Sequence, residues 1–284
     1  MKFLPLLIAL GLFVACADDS EAPVDETDAG QDTNADASDT SSPDAGDLGT
    51  PDAEPDAVAP ELPPKPWSVD APGYYPVGFT TSELTYQAEG IGERVLRLAF
   101  WYPTFDERGG GQYLVYARPE VHADAAPVDD KPLPVLIFSH GSSSFAEQSF
   151  FMTEYFASHG FIVVAPDHTG NTYFDRGIPQ ETFEFRPMDI TAVLDHVQNL
   201  PADHLLSGLF SDDIVMSGHS FGGYTALANA DAAYAVDAFL EACAEDENEA
   251  FCQRLQVEGV EDRFRMGFGD PRIKAAIPQA PFGG

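Results

Sequence analysis

Positive charge is scarce in this chain. Fourteen Lys and Arg stand against 47 Asp and Glu over 284 residues, a formal net charge of −33. A surface of that sign repels a phosphate backbone, which excludes nucleic acid as a partner. Internal repeats are absent. The acidic stretches contain no Asp-x-Asp-x-Asp-Gly spacing, so the loop geometry of that kind of calcium site is missing. No histidine stands near Cys243 or Cys252 to complete a zinc set. No metal and no other cofactor is expected. The apolar run Phe3–Ala15 falls short of the roughly 20 residues that cross a bilayer.

That run, placed after Met1-Lys2, instead has the length of the apolar region of a secretory signal, so residues 1–16 read as a leader and the protein as exported. Val14-Ala15-Cys16 resembles the end of a bacterial lipoprotein signal, in which Cys16 becomes the lipidated first residue and anchors the protein to a membrane. Phe13 departs from that pattern, which prefers Leu. The alternative is ordinary cleavage after Ala17, at Ala15-Cys16-Ala17, releasing a periplasmic or secreted protein. Residues 17–66 follow as a linker. Within 17–64 there are fifteen Asp or Glu and no Lys or Arg, among Ala, Thr, Ser, Gly and Pro. Such a segment buries too little apolar surface to offset its ordering entropy, so disorder is expected, extended by mutual repulsion. Taking those fifteen charges from −33 leaves −18 for the remainder.

Residues 67–284 have the pattern of a folded domain. Tyr74–Gln87 and Arg94–Tyr102 are rich in β-branched and aromatic residues and partly alternate, which predicts antiparallel strands at a sheet edge. Leu133–Phe138 and Phe161–Ala165 are short continuous apolar runs of the kind that fill fully buried strands. Asp213–Met216 reads as a further strand, and Glu147–Ser158 and Ile190–Leu200 have helical spacing. Strands alternating with helices from residue 133 onward predict an α/β fold with a mostly parallel sheet and helices on both faces.

One stretch carries chemistry. Gly218-His219-Ser220-Phe221-Gly222-Gly223 follows the apolar Ile214-Val215-Met216 and precedes the helix-like Tyr224–Ala230. A Gly-x-Ser-x-Gly turn between strand and helix is the context of a nucleophile elbow, which presents Ser220 on a strained turn at the top of a sheet. Gly218 and Gly222 offer no side chain to collide where strand and helix approach closely.

His140-Gly141-Ser142 after the first buried strand, Ala165-Pro166-Asp167-His168 after the second, Arg186-Pro187-Met188-Asp189 opening a helix, and the elbow together resemble an α/β-hydrolase. The branch they look most like includes predicted dienelactone hydrolases and platelet-activating-factor acetylhydrolases. The resemblance covers about residues 72 to 282. It implies Ser220 as the nucleophile toward a small ester or lipid, with the backbone N–H groups of Phe221 and Ser142 as oxyanion donors. Gly218, His219, Gly222, His140 and Gly141 would support the elbow and its facing loop. Read alone, Ser142 to Ser144 is a plain polar loop.

The same resemblance exposes a shortage. In this fold the triad runs Ser, then Asp or Glu, then His, yet His122, His140, His159, His168, His196, His204 and His219 all precede Ser220. Gln279, Ala280 and Pro281 stand where some relatives place the acid, and Asp270 precedes the last strand, Ile273–Pro278, at the wrong end of the sheet. No triad acid or histidine is therefore assigned, and the expectation is an N-terminal part of a hydrolase whose last strands lie beyond Gly284. Residues 231–270 read as a candidate lid insertion in which Cys243 and Cys252 either pair, in an oxidising compartment, or stay free thiols on a helix. Two function classes stand: a serine hydrolase of carboxylic esters, and a non-catalytic surface lipoprotein using the fold to bind a ligand or partner.

Overall fold

The computed structural model describes residues 68–106, 109–177, 179–244 and 250–282, all within Ala57–Gly284. The leader with Cys16, the acidic linker to 66, and Trp67 lie outside the described residues.

β1 (Val77–Ala88) and β2 (Gly92–Pro103) pair antiparallel over their full length, from Val77 opposite Pro103 to Ala88 opposite Gly92. β3 (Gly111–Gln112) and β4 (Ala117–Arg118) make a separate ribbon, and β5 (Val121–Ala123) runs parallel to the start of β1. So β5, three residues long and too short to show a period, takes the sheet edge that the sequence assigns to β1. β6 (Leu133–Ser139) leads through a 3₁₀ turn, Ala146–Ser149, into helix α1 (Phe150–Ser158), then β7 (Ile162–Pro166) and α2 (Thr182–Gln198). β8 (Phe210–His219), α3 (Phe221–Asn229), the short helices α4 (Val236–Cys243), α5 (Ala250–Leu255) and α6 (Val260–Met266), and β9 (Ile273–Gln279) follow.

The seven-stranded sheet has the order β5-β1-β2-β7-β6-β8-β9, with β7, β6, β8 and β9 parallel to one another. Successive side chains of a strand face opposite ways, and the core divides accordingly. Leu98, Phe100, Val135, Ile137, Val164 and Met216 pack on one face against Ile190, Val193 and Leu194 of α2 and Ala226 of α3. Ala99, Trp101, Leu136, Phe138 and Val163 pack on the other face with Ala157 of α1. A mostly parallel sheet with helices on both faces and antiparallel N-terminal strands is the α/β-hydrolase fold.

α2 begins at Thr182, eight residues before the helical spacing that the sequence shows at Ile190, and contains Pro187. A proline inside a helix leaves the carbonyl four residues earlier without its N–H partner. Here that carbonyl, Phe183 O, accepts the Tyr224 hydroxyl of α3 at 2.7 Å. The compensation comes from 41 residues away in the chain, so it leaves no local trace.

Candidate active site

β8 passes through Ser220 directly into α3. Ser220 has φ 54° and ψ −115°, a conformation that costs a residue with a Cβ about 1–3 kcal/mol and persists only where the surroundings over-determine it. They do so here. Its N–H donates to Gln279 O at 2.9 Å, and its carbonyl accepts Gly223 N at 2.9 Å, Tyr224 N at 3.2 Å and Phe282 N at 2.8 Å. A Cβ at Gly218 would lie 2.2 Å from Gly222 O, and one at Gly222 only 1.9 Å from Ser139 O. Both obstacles are backbone and cannot swing aside. The first turn of α3 therefore sits against the end of β6, and Phe221 opens the helix with its N–H among the unsatisfied donors of the N-terminus.

Ser139 is opposite Gly218 in the β6–β8 register, so the loop after β6 leaves the sheet beside the elbow. Its first residues are tied from several sides. Gly141 N–H donates to Gln148 Oε1 at 2.6 Å, and Gln148 Nε2 lies 2.9 Å from His219 Nδ1, which joins the loop to the elbow. Asn171 Nδ2 donates to Ser142 Oγ at 3.2 Å, Ser144 bridges to Thr172, and Ser144 O accepts Tyr173 N at 2.7 Å. Ser143 carries a φ of 53°. Ser142–Ser144 is thus fastened to the segment after β7.

Two histidines of the motifs, His140 and His168, turn inward. His140 is fully buried, and its Nε2 accepts His168 N–H at 3.1 Å, leaving Nδ1 to donate to Gly141 O at 2.7 Å. His168, also fully buried, lies 2.8 Å from Asp189 Oδ2 through Nδ1 and 2.9 Å from Ser139 Oγ through Nε2. Ser139, His168 and Asp189 have the connectivity of a catalytic triad, but none of the three has exposed surface for a substrate to reach. Asp189 is further engaged by Arg94 at 2.6 and 2.8 Å and by the Tyr86 hydroxyl at 2.6 Å. Burial, followed by the Arg186 charge, holds both imidazoles well below 6.5, so both are neutral. Among the described residues, no histidine or carboxylate forms a hydrogen bond with Ser220 Oγ.

Gln279, where the sequence lacks an acid, is the last residue of β9, and its Nε2 donates to Ser217 Oγ at 3.0 Å. Asp270 receives Arg272 at 2.6 Å, and its N–H donates to Asn229 O at the far end of α3 from Ser220. In the segment 231–270, Cys243 and Cys252 form a disulfide. Glu184 of α2, fully buried, receives Arg254 of α5 and Arg263 of α6 at 2.5 and 2.7 Å. Between α3 and these helices is a cavity of about 590 Å³ whose apolar wall includes Phe183, Leu227, Phe239, Phe251 and Phe282.

Sequence reasoning found the glycines and Ser220 through their fixed spacing. It missed Gln148 and Asn171, which act through contacts with distant segments, and it quoted Arg186 within the Arg186-Pro187-Met188-Asp189 motif without assigning it a role.

The chlorophyllase family profile matches residues 116–243, a stretch holding both the loop after β6 and the elbow. No curated protein matches the chain. Among solved structures, the chain is similar to a ferulic acid esterase from Streptomyces cinnamoneus, at 25% identity over 55% of this chain and 56% of that one, with a TM-score of 0.47. It is similar to a putative dienelactone hydrolase from Klebsiella pneumoniae subsp. pneumoniae at 16% identity, over 72% and 60% of the two chains, with a TM-score of 0.38. A third is brefeldin A esterase, a bacterial homologue of human hormone-sensitive lipase, at 15% identity, over 80% of this chain and 44% of that one, again with a TM-score of 0.38. The chain thus spans between 44% and 60% of the length of those three proteins.

Proposed function

We propose that the protein is a serine hydrolase that cleaves carboxylic esters through an acyl-enzyme on Ser220. The observation that carries this reading is the backbone of Ser220, held at φ 54° by four hydrogen bonds and two glycines that admit no Cβ. Binding alone gives no reason to maintain such strain. The chlorophyllase profile, which spans both the elbow and the facing loop in one match, supports it. In the reaction, Ser220 Oγ adds to the ester carbonyl and gives up its proton to a general base. The carbonyl oxygen becomes an oxyanion facing the N–H groups of Phe221 and Ser142, each such donor being worth about 3 kcal/mol. Collapse expels the alcohol, and water then releases the acid from the acyl-enzyme. The base must be a group other than the described histidines, none of which bonds Ser220. The apolar cavity beside α3 favours an ester with an apolar acyl or alcohol group, a small ester or a lipid.

The test is covalent labelling of the full-length protein by a fluorophosphonate, with hydrolysis of a short-chain p-nitrophenyl ester. Ser220→Ala should abolish both. Labelling that survives this change removes Ser220 as the nucleophile, and an unlabelled wild type favours the non-catalytic binding protein. The reading extends to location: the protein is exported and held on a membrane by a lipid on Cys16. The disulfide between Cys243 and Cys252 supports an oxidising compartment.

A further inference from the structure

Arg186 is the largest charged side chain without exposed surface, and among the described residues it forms no ion pair. A guanidinium removed from water without a carboxylate partner is costly, so its surroundings indicate what it does. Asp189 lies one turn further along α2, but its oxygens bond Arg94, Tyr86 and His168 instead. Arg186 Nη2 donates to His140 O, and Nη1 donates to Asn171 Oδ1 at 3.2 Å. The guanidinium carbon lies 5.2 Å from the centre of the Phe221 ring, and Nε has no partner.

These contacts converge on the loop that follows β6 and on Phe221, the first residue of α3. The His140–Gly141 peptide is fixed at both ends, its carbonyl by Arg186 and its N–H by Gln148. The next carbonyl, Gly141 O, is held by His140 Nδ1. Because a trans peptide points its N–H opposite to its carbonyl, that bond turns the Ser142 N–H away from the buried histidine. Asn171, engaged by Arg186 on one side, secures Ser142 Oγ on the other. On the elbow side, the cation packs over the residue whose N–H begins α3.

We propose that Arg186 is a positioning residue for the oxyanion site: it aligns the Ser142 and Phe221 donors from beneath and adds a buried positive charge that favours the anionic tetrahedral state. This rests on the reading of Ser220 as nucleophile. Burial lowers the guanidinium only to about 9, so it is charged at neutral pH. A preorganised charge of this kind acts on the transition state and leaves substrate binding nearly untouched.

The experiment compares Arg186→Met, Arg186→Lys and Asn171→Ala with wild type in the full-length protein. It reads fluorophosphonate labelling, kcat and KM for a p-nitrophenyl ester, and inhibition by a trifluoromethyl ketone and its methyl ketone counterpart. The first ketone forms an anionic adduct with the serine, and the second binds uncharged. Arg186→Met should lower kcat by about 10² to 10³, the range for loss of one oxyanion donor, with KM changed less than about threefold. Inhibition by the trifluoromethyl ketone should weaken in parallel while that by the methyl ketone holds. Arg186→Lys should recover part of kcat, and Asn171→Ala should cost about tenfold. If Arg186→Met does not fold, the other two variants decide. Unchanged kcat in both, or equal loss with the two ketones, overturns the proposal while labelled wild type leaves Ser220 in place. A wild type that neither labels nor turns over overturns the Ser220 reading and this proposal with it.

Discussion

Gly222 shows how little freedom the elbow has. The carbonyl that a Cβ there would meet, Ser139 O at 1.9 Å, belongs to a strand locked between two others. Relief must come from moving α3 away from β6, which separates Phe221 from the loop that carries Ser142. Gly222→Ala is expected to destabilise the protein by roughly 1–3 kcal/mol, as overpacking does, and to slow fluorophosphonate labelling at least about tenfold. A urea midpoint and a labelling rate both equal to wild type would show that the contact relaxes locally. The glycine spacing was legible in the sequence because the turn demands it. Gln148 and Asn171, and the contacts of Arg186, were not, because a hydrogen-bonding residue placed by tertiary contact has no required distance in sequence from its partner.

The buried histidines make a second prediction at this scale, and its sign follows from their neutral state. A ring held below 6.5 when folded but free to protonate when unfolded adds stability above pH 6.5, and that stability is lost as pH falls through 6.5 toward the folded values. His140 and His168 both act in this direction, each at up to about 1.4 kcal/mol per pH unit. Asp270 acts lower: burial opposes its charge, but the Arg272 bonds hold it below 3.8, so its contribution fades only under that value. Urea midpoints measured at pH 7.5, 6.0 and 5.0 should fall steadily. A flat profile over that range would mean the two rings protonate without unfolding.

Among the elements, α2 joins most of the others. Its apolar side packs on the sheet through Ile190, Val193 and Leu194, and its first turns supply Phe183 to the cavity wall, Glu184 to the helices α5 and α6, and Arg186 to the facing loop. Glu184 is the only link of that set which is a buried carboxylate gripped by two guanidinium groups. Removing one member of a buried ionic set leaves the others uncompensated, at about 3–5 kcal/mol. That cost should fall on the segment 231–270, whose own cluster is small: Val236, Leu255, Val260 and Phe264. Glu184→Ala should therefore make this segment open to protease under native conditions while the sheet keeps its far-UV signal. Resistance equal to wild type would show that the disulfide and the apolar cluster suffice. The parallel strands β6, β7 and β8 were legible from their apolar runs. The first turn of α2, Thr182 to Phe185, was not, because a helix opening at Arg186-Pro187 needs no residues before it, and what lets α2 run through Pro187 is the distant Tyr224 hydroxyl.

For the whole molecule, the proposal that a lipid on Cys16 holds the protein on a membrane can be tested apart from the chemistry of Ser220. The sequence outside 17–64 keeps a formal charge of −18, which favours solubility over association with anionic lipid headgroups. The proposed anchor is Cys16, which follows Val14-Ala15, while Cys243 and Cys252 are paired with each other. On this account the mature protein begins at a diacylated Cys16, partitions into detergent, and moves to the aqueous phase in Cys16→Ala. Thiol alkylation without reductant should leave Cys243 and Cys252 unmodified. Mass spectrometry of the mature N-terminus decides between the two cleavage patterns: a lipidated Cys16 supports the anchor, and an unmodified N-terminus at Asp18 shows cleavage after Ala17 and a protein released from the membrane.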